Sequence, residues 1–200
     1  MELFQLYFML NNLDPYRIIL ASQSPRRHEL LTGLDIEFEV RSRDVDESYP
    51  KEIKAEDVPT FLAEKKADAF HDILDRETII ITADTIVIKD DQILEKPLSV
   101  NDAKSMITKL SGSTHTVVTG VCIQSRKEKV IFSDSTKVHF STLSAEEIQY
   151  YVHRYQPFDK AGAYGVQEWI GYIGIERLEG SYYNVMGLPV HKVYAALKKF

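Results

Sequence analysis

Apolar and polar positions fall in short blocks along the chain, and their period switches between two and about 3.6, the signature of alternating strands and helices. Arg17 to Ala21 (RIILA) reads as a strand. Ser22-Gln23-Ser24 turns it, and Pro25 to Leu34 reads as a helix with Ser24 as N-cap and Pro25 at the first helical position. Gly33 ends that helix near Thr32. Ile36 to Ser42 is a second predicted strand, followed by the acidic loop Asp44-Val45-Asp46-Glu47. From Asp57 to Leu74, residues Val58, Phe61, Leu62, Ala69, Phe70, Ile73 and Leu74 recur at helical spacing. Thr78 to Ala83 (TIIITA) is a nearly unbroken apolar run, the pattern of a central strand buried on both faces. Asp84 stands at its end, and Ile86 to Lys89 resumes the β pattern.

Asn101 to Leu110 predicts a short helix, and residues 114–124 and 129–142 predict an antiparallel hairpin across the charged turn Ser125-Arg126-Lys127-Glu128. Ser144-Ala145-Glu146-Glu147 is a capping box opening a helix from Ala145 to about Arg154. Gly-rich β and turn segments are expected over 161–189, and a closing helix over Val190 to Lys199. Parallel and antiparallel pairings together predict an α/β fold whose mixed, twisted sheet is flanked by helices.

Length and charge narrow the reading. Two hundred residues without a repeat or a Ser/Gly linker make one domain, placed at 17–200. Residues 1–16 are set apart as an N-terminal extension. Met1 to Leu10 (MELFQLYFML) is apolar, but it has no basic flank and stops short of the roughly 20 residues of a membrane span. Met9 would serve equally well as a start. With 24 basic and 30 acidic residues the net charge is −6, which excludes a generally basic surface for nucleic acid but permits a local cationic pocket. No membrane partner is expected. The single cysteine, Cys122, rules out an internal disulfide and fits the cytoplasm; its β-branched surroundings read as a buried strand.

Four groups of residues are candidates for chemistry. Ser22-Gln23-Ser24-Pro25-Arg26-Arg27 sits between a strand and a helix, where free N–H groups and guanidiniums suit an anion; a capped helix with solvated arginines reads as well. Asp84 could hold a cation, act as a general base, or cap a turn. Asp44, Asp46 and Glu47 are hard oxygen ligands or a solvated surface, and the six histidines form no zinc pattern. Lys66, and Lys96 before Pro97, are cations that point inward or into solvent.

Together with Asp159-Lys160-Ala161-Gly162-Ala163-Tyr164-Gly165-Val166-Gln167 and Gly180 to Pro189 (GSYYNVMGLP), these segments resemble the Maf family of nucleoside triphosphate pyrophosphatases over residues 17–200. The resemblance implies a Maf/ITPase-like fold with two lobes around a central cleft, and hydrolysis of a nucleoside triphosphate to the monophosphate and pyrophosphate. It makes Asp84 the catalytic carboxylate and puts Arg26, Thr85 and Gln167 on the positions that separate branches, here the dTTP/UTP branch. Ser22, Ser24, Arg27, Lys66 and Lys96 fall to phosphate binding, with Glu47 and Asp84 as ligands of a divalent cation, Mg²⁺ or Mn²⁺. A homodimer is compatible with this reading. Glu95 departs from the usual Gly before Lys-Pro. The rival readings are a nucleotide-binding regulatory protein of division control with incidental hydrolysis, and a pyrophosphatase for modified or non-standard nucleotides.

Overall fold

The structure, a computed structural model, describes residues 10–200. Its strands are β1 (Arg17–Leu20), β2 (Glu39–Val40), β3 (Thr78–Lys89), β4 (Gln92–Leu94), β5 (Thr114–Ser125), β6 (Lys129–Phe140) and β7 (Ile175–Glu179). Its helices are α1 (Pro25–Thr32), α2 (Val58–Asp68), α3 (Val100–Leu110), α4 (Ala145–Tyr155), α5 (Trp169–Gly174), α6 (Tyr182–Met186) and α7 (Val190–Leu197). The strands form one mixed sheet in the order β2-β1-β3-β5-β6-β7, with β4 also on β3. The expected α/β architecture is present.

β3 is the axis of the molecule. Its period-two alternation sends Ile79, Ile81, Ala83 and Val87 into the main core, with α3, α4 and α7. The other face packs Ile80 with Ile19 and Phe70, and Ile86 with Val58 and Leu62 of α2. The helix lies very close to the sheet: Thr82 Oγ1 donates to the Ala63 carbonyl at 2.6 Å. Gly120 of β5 makes this possible, because a Cβ there would meet the Pro59 carbonyl carbon and the Thr60 nitrogen at 2.3 Å.

Register explains why a site forms at the middle of β3. β5 pairs with it continuously from Ile79 to Ile88. On the other side, parallel β1 ends at the Leu20–Ile81 pair, and antiparallel β4 begins only at Val87. Residues 82–86 therefore face a gap in the sheet, and Asp84 lies at its centre. This corrects the expectation that Asp84 ends a strand: β3 runs on through it, and it is β1 that stops.

Other expectations need adjustment. The second strand shrinks to Glu39–Val40, and α2 ends at Asp68, followed by a 3-10 turn at His71–Ile73. Residues 161–189 are mostly helical turns, with one strand, β7. Ser24 precedes α1 in extended geometry, but its hydroxyl caps no amide. The Ser144 capping box forms as expected, and Cys122 is buried, its thiol pushed up to about 12 chiefly by burial. Residues 1–9 of the expected extension lie outside the described residues. Residues 10–16 pack on the domain, with Leu10 and Leu13 buried and Asn12 donating to the Leu197 carbonyl at 2.8 Å. Among the described residues, no helix is long and apolar enough to cross a membrane.

Candidate active site

The gap in the sheet opens into a cleft of about 920 Å³. The ten residues to which the resemblance gives a role all line it: Ser22, Ser24, Arg26, Arg27, Glu47, Lys66, Asp84, Thr85, Lys96 and Gln167. They come from the β1–α1 turn, the acidic loop, α2, β3, the segment after β4 and the loop after α4. The strand pleat divides two of them: Asp84 shares the α2 face of β3 with Thr82, and Thr85 faces the core side.

On the α2 face the chemistry is ionic. Lys66, in the last turn of α2, donates to Asp84 Oδ1 at 2.6 Å and pairs with Glu47 Oε1 at 2.8 Å. Burial would raise the Glu47 carboxyl, but Lys66, Lys96 and Arg27 outweigh it and hold the group below its ordinary value. Asp46, two positions from Asp44 in the same loop, points elsewhere. It binds Ser48 and Lys65, which hold its carboxyl at about 2. Of the three acids in the loop, Glu47 alone is paired to Lys66; Asp44 only lines the cleft.

Asp84 and Glu47 thus converge on one ammonium, so both are within reach of one ion. No group of three or more His, Cys, Asp or Glu side chains suited to a metal occurs among the described residues. Two carboxylates nevertheless fit Mg²⁺ or Mn²⁺, hard cations that keep water and take the remaining ligands from substrate phosphates.

On the core face the contacts are neutral and directional. Arg27 donates from Nε to the Gly187 carbonyl at 2.8 Å, from Nη2 to Thr85 Oγ1 at 3.0 Å, and from Nη1 to Ser22 Oγ at 3.5 Å. Thr85 and Thr119 hydroxyls lie 2.9 Å apart, and Thr119 donates to the Asn184 carbonyl at 2.9 Å. Each hydroxyl has one proton, so the chain runs one way: Arg27 to Thr85 to Thr119 to the backbone of α6. Burial lowers the Arg27 pKa, with Asp84 the main opposing influence, and a guanidinium keeps its charge through such a shift. Gly187 supplies its carbonyl at φ +116°, a conformation that disfavours any Cβ. Ser22 Oγ also accepts from the Ser24 amide at 3.2 Å, which fixes the turn just ahead of α1.

The far end of the cleft is built by the loop after α4. Gln167 is half-buried, and its Oε1 is buried without a partner. Arg26 Nη1 reaches across to Asp159 Oδ2 at 2.8 Å. Lys160, buried beneath, pairs with Asp159 at 2.7 Å and with Glu168 at 3.1 Å. Glu168 also accepts the Tyr151 hydroxyl, which in turn accepts the Gly165 amide at 3.0 Å. Asp159, Lys160 and Gly187 were not singled out from the sequence. Their signal was the charged pair opening DKAGAYGVQ and the Gly before Leu-Pro, in segments that carry the resemblance as a whole. Glu95, the departure noted above, does not line the cleft: it faces the Tyr49 hydroxyl, whose pKa is raised by burial and by that carboxylate.

A family model described as "Maf-like protein" matches residues 17–200. The chain is 56% identical to the dTTP/UTP pyrophosphatase of Porphyromonas gingivalis over 96% of its own length and 98% of that protein's. It is 51% identical to the dTTP/UTP pyrophosphatase of Bacteroides fragilis, over 96% of this chain and all of that one. Among solved structures, a nucleoside-triphosphatase / dITP/XTP pyrophosphatase from Mycobacterium abscessus aligns over 90% of this chain and 94% of its own, at 16% identity and a TM-score of 0.46.

Proposed function

The chain belongs to the Maf-like protein family, and on that premise we propose that it hydrolyses dTTP and UTP to the monophosphate and pyrophosphate. One observation carries the reading: a single cleft is lined by Asp84, by the cations Arg27, Lys66 and Lys96, and by Gln167, whose amide oxygen has no partner.

In this reading the water attacking the α-phosphorus gives its proton to Asp84. Lys66 occupies Oδ1, which leaves Oδ2 as the acceptor and fixes its direction. Arg27, Lys66, Lys96 and the β1–α1 turn hold the triphosphate and stabilise charge on the departing pyrophosphate, the main source of rate in phosphoryl chemistry. Glu47 and Asp84 would hold a Mg²⁺ or Mn²⁺ ion, which when bound neutralises charge on the phosphates. Lys66 must then share these carboxylates with the cation.

At the other end, uracil and thymine present an O4 acceptor beside an N3–H donor. Gln167 can donate its NH₂ to O4, and a rotation of the amide that brings out the buried, unpartnered Oε1 lets it take N3–H as well. Arg26 can only donate, so it favours O4 over the amino group of cytosine. Leaving such donors unpaired costs about 1–3 kcal/mol each, enough for roughly 10- to 100-fold selectivity. The proposed setting is cytoplasmic, where the lone thiol Cys122 stays reduced.

The test is pyrophosphate release over a panel of triphosphates, with Mg²⁺ and after exhaustive EDTA treatment. The expected order is dTTP and UTP first and within about tenfold of each other, since a methyl is worth little in an apolar pocket, then CTP, then purines. A purine triphosphate preferred over both would overturn the substrate assignment. Full turnover in EDTA would overturn the cation.

A further inference from the structure

Arg26 and Arg27 are neighbours in sequence and both line the cleft, but they bond to different elements. Arg27 is committed to the protein through three hydrogen bonds to neutral acceptors. Arg26 makes one side-chain hydrogen bond among the described residues, to Asp159. A guanidinium has five N–H donors, so most of those on Arg26 are left for a ligand. We propose that Asp159 is a positioning residue that aims Arg26 at the base end of the cleft, and so sets the preference for a carbonyl-bearing pyrimidine. The inference rests on the function proposed above.

The geometry supports it on three counts. Asp159 and Gln167 are carried by one loop, tied together from below: Lys160 bonds Asp159 and Glu168, the residue after Gln167. That tie is anchored in the core, because Glu168 accepts the Tyr151 hydroxyl and Tyr151 is fully buried. Asp159 is therefore held at a fixed place relative to the Gln167 amide, and Arg26 is held by Asp159.

The second count is energetic. The Asp159 side chain is 55% exposed, so its pair with Arg26 is partly screened, and the buried Lys160 that it also meets keeps a second partner in Glu168 when Asp159 is removed. The value of the pair is the direction it gives to Arg26. The third is electrostatic. The phosphate end already has Arg27, Lys66 and Lys96, and a triphosphate would draw a free Arg26 toward itself. There the guanidinium would hold every nucleotide alike. Asp159 is the counter-charge that keeps it at the other end.

The test compares kcat/KM for UTP and CTP in the wild type, D159A, D159E, R26Q and the R26Q/D159A double variant. D159A is expected to lower the UTP-over-CTP ratio about tenfold, the loss of one charge-assisted contact, with the change in KM exceeding that in kcat. D159E should recover most of the ratio, and the double variant should be no less selective than R26Q alone. A ratio in D159A within twofold of wild type, or losses that multiply in the double variant, would overturn the inference. If D159A does not give a cooperative melt near the wild-type temperature, D159N takes its place. Equilibrium binding of the non-hydrolysable α,β-methylene analogues of UTP and CTP gives the same ratio without turnover. A wild type that releases no pyrophosphate thus counts against the proposed activity, while the binding ratio still decides the role of Asp159.

Discussion

Asp84 and Thr85 are adjacent, yet the pleat of β3 gives them opposite surroundings. On the Asp84 side, one ammonium is shared by two carboxylates, with Lys96 and Arg27 contributing to the field at Glu47. On the Thr85 side, a guanidinium begins a relay of hydroxyls that terminates on backbone. The first arrangement is charge held close and free to be redistributed when a substrate arrives. The second fixes a cation in space by directional bonds. In the proposed reaction one strand thus supplies reactivity on one face and rigid placement on the other, and changes on the two faces should fail differently.

The largest effect is expected from D84N on the reactive face. It keeps the shape of the side chain and can still accept from Lys66, but it cannot take a proton from water. Turnover should fall at least about 100-fold, the low end for removing a general base, with triphosphate binding retained in a titration. Near wild-type hydrolysis by D84N would break the assignment of chemistry to this face.

Next is K66M, which leaves Asp84 and Glu47 facing one another without their shared cation. The expected loss in kcat/KM is about 10- to 100-fold, as for removing one charged partner from a close pair. Glu47 gives a second readout. Its folded pKa lies below the ordinary 4.5, so the group stabilises the fold above that value and the contribution is lost as pH falls through the folded one. K66M should shrink this acid-side loss. An unchanged stability profile below pH 4.5 would show that Lys66 does not govern Glu47.

G120A tests how the reactive face is assembled. Gly120 pairs with Asp84 across β3 and β5, and a methyl there meets the α2 backbone at 2.3 Å. The helix must move off the sheet, at about 1–3 kcal/mol for overpacking, and Lys66 moves with it. Chemical denaturation should show the destabilisation, and KM should rise because the ammonium no longer meets Asp84.

What the sequence made legible follows the same division between local and distant causes. The hairpin of β5 and β6, the Ser144 capping box and the apolar run of β3 are set by side-chain period and by groups three residues apart, and the structure has them all. The ten candidate residues meet in one cleft, although only the Ser22–Arg27 motif sits where a strand gives way to a helix; Asp84 and Thr85 lie inside β3 and Lys66 in the last turn of α2. The gap that exposes Asp84 could not be read from β3 itself, since it depends on where β1 and β4 stop. The helical turns over 161–189 were hidden by glycines and aromatics that suit strands equally well. Asp159 and Lys160 were visible as letters, but their bonds to Arg26 and Glu168 span distant segments or a folded loop.

The smallest effect is expected from T85V, and it sharpens the contrast most. Valine keeps the volume and removes the hydroxyl that accepts from Arg27 and bonds Thr119. Arg27 still has the Gly187 carbonyl and Ser22, so its position loosens without being lost. The cost to folding should be about 1 kcal/mol, that of one hydrogen-bonded group, and kcat/KM should fall by less than about tenfold. The pattern across substrates matters more than the size. The resemblance puts Thr85 among the positions that separate the branches, but its hydroxyl is bonded to Arg27 and Thr119, so the prediction is that it acts on every nucleotide alike, through the guanidinium. T85V should therefore depress UTP, dTTP and CTP by the same factor, and T85S should restore all three. A change confined to one base would place the Thr85 hydroxyl in contact with the base, and the clean division between the two faces of β3 would fail.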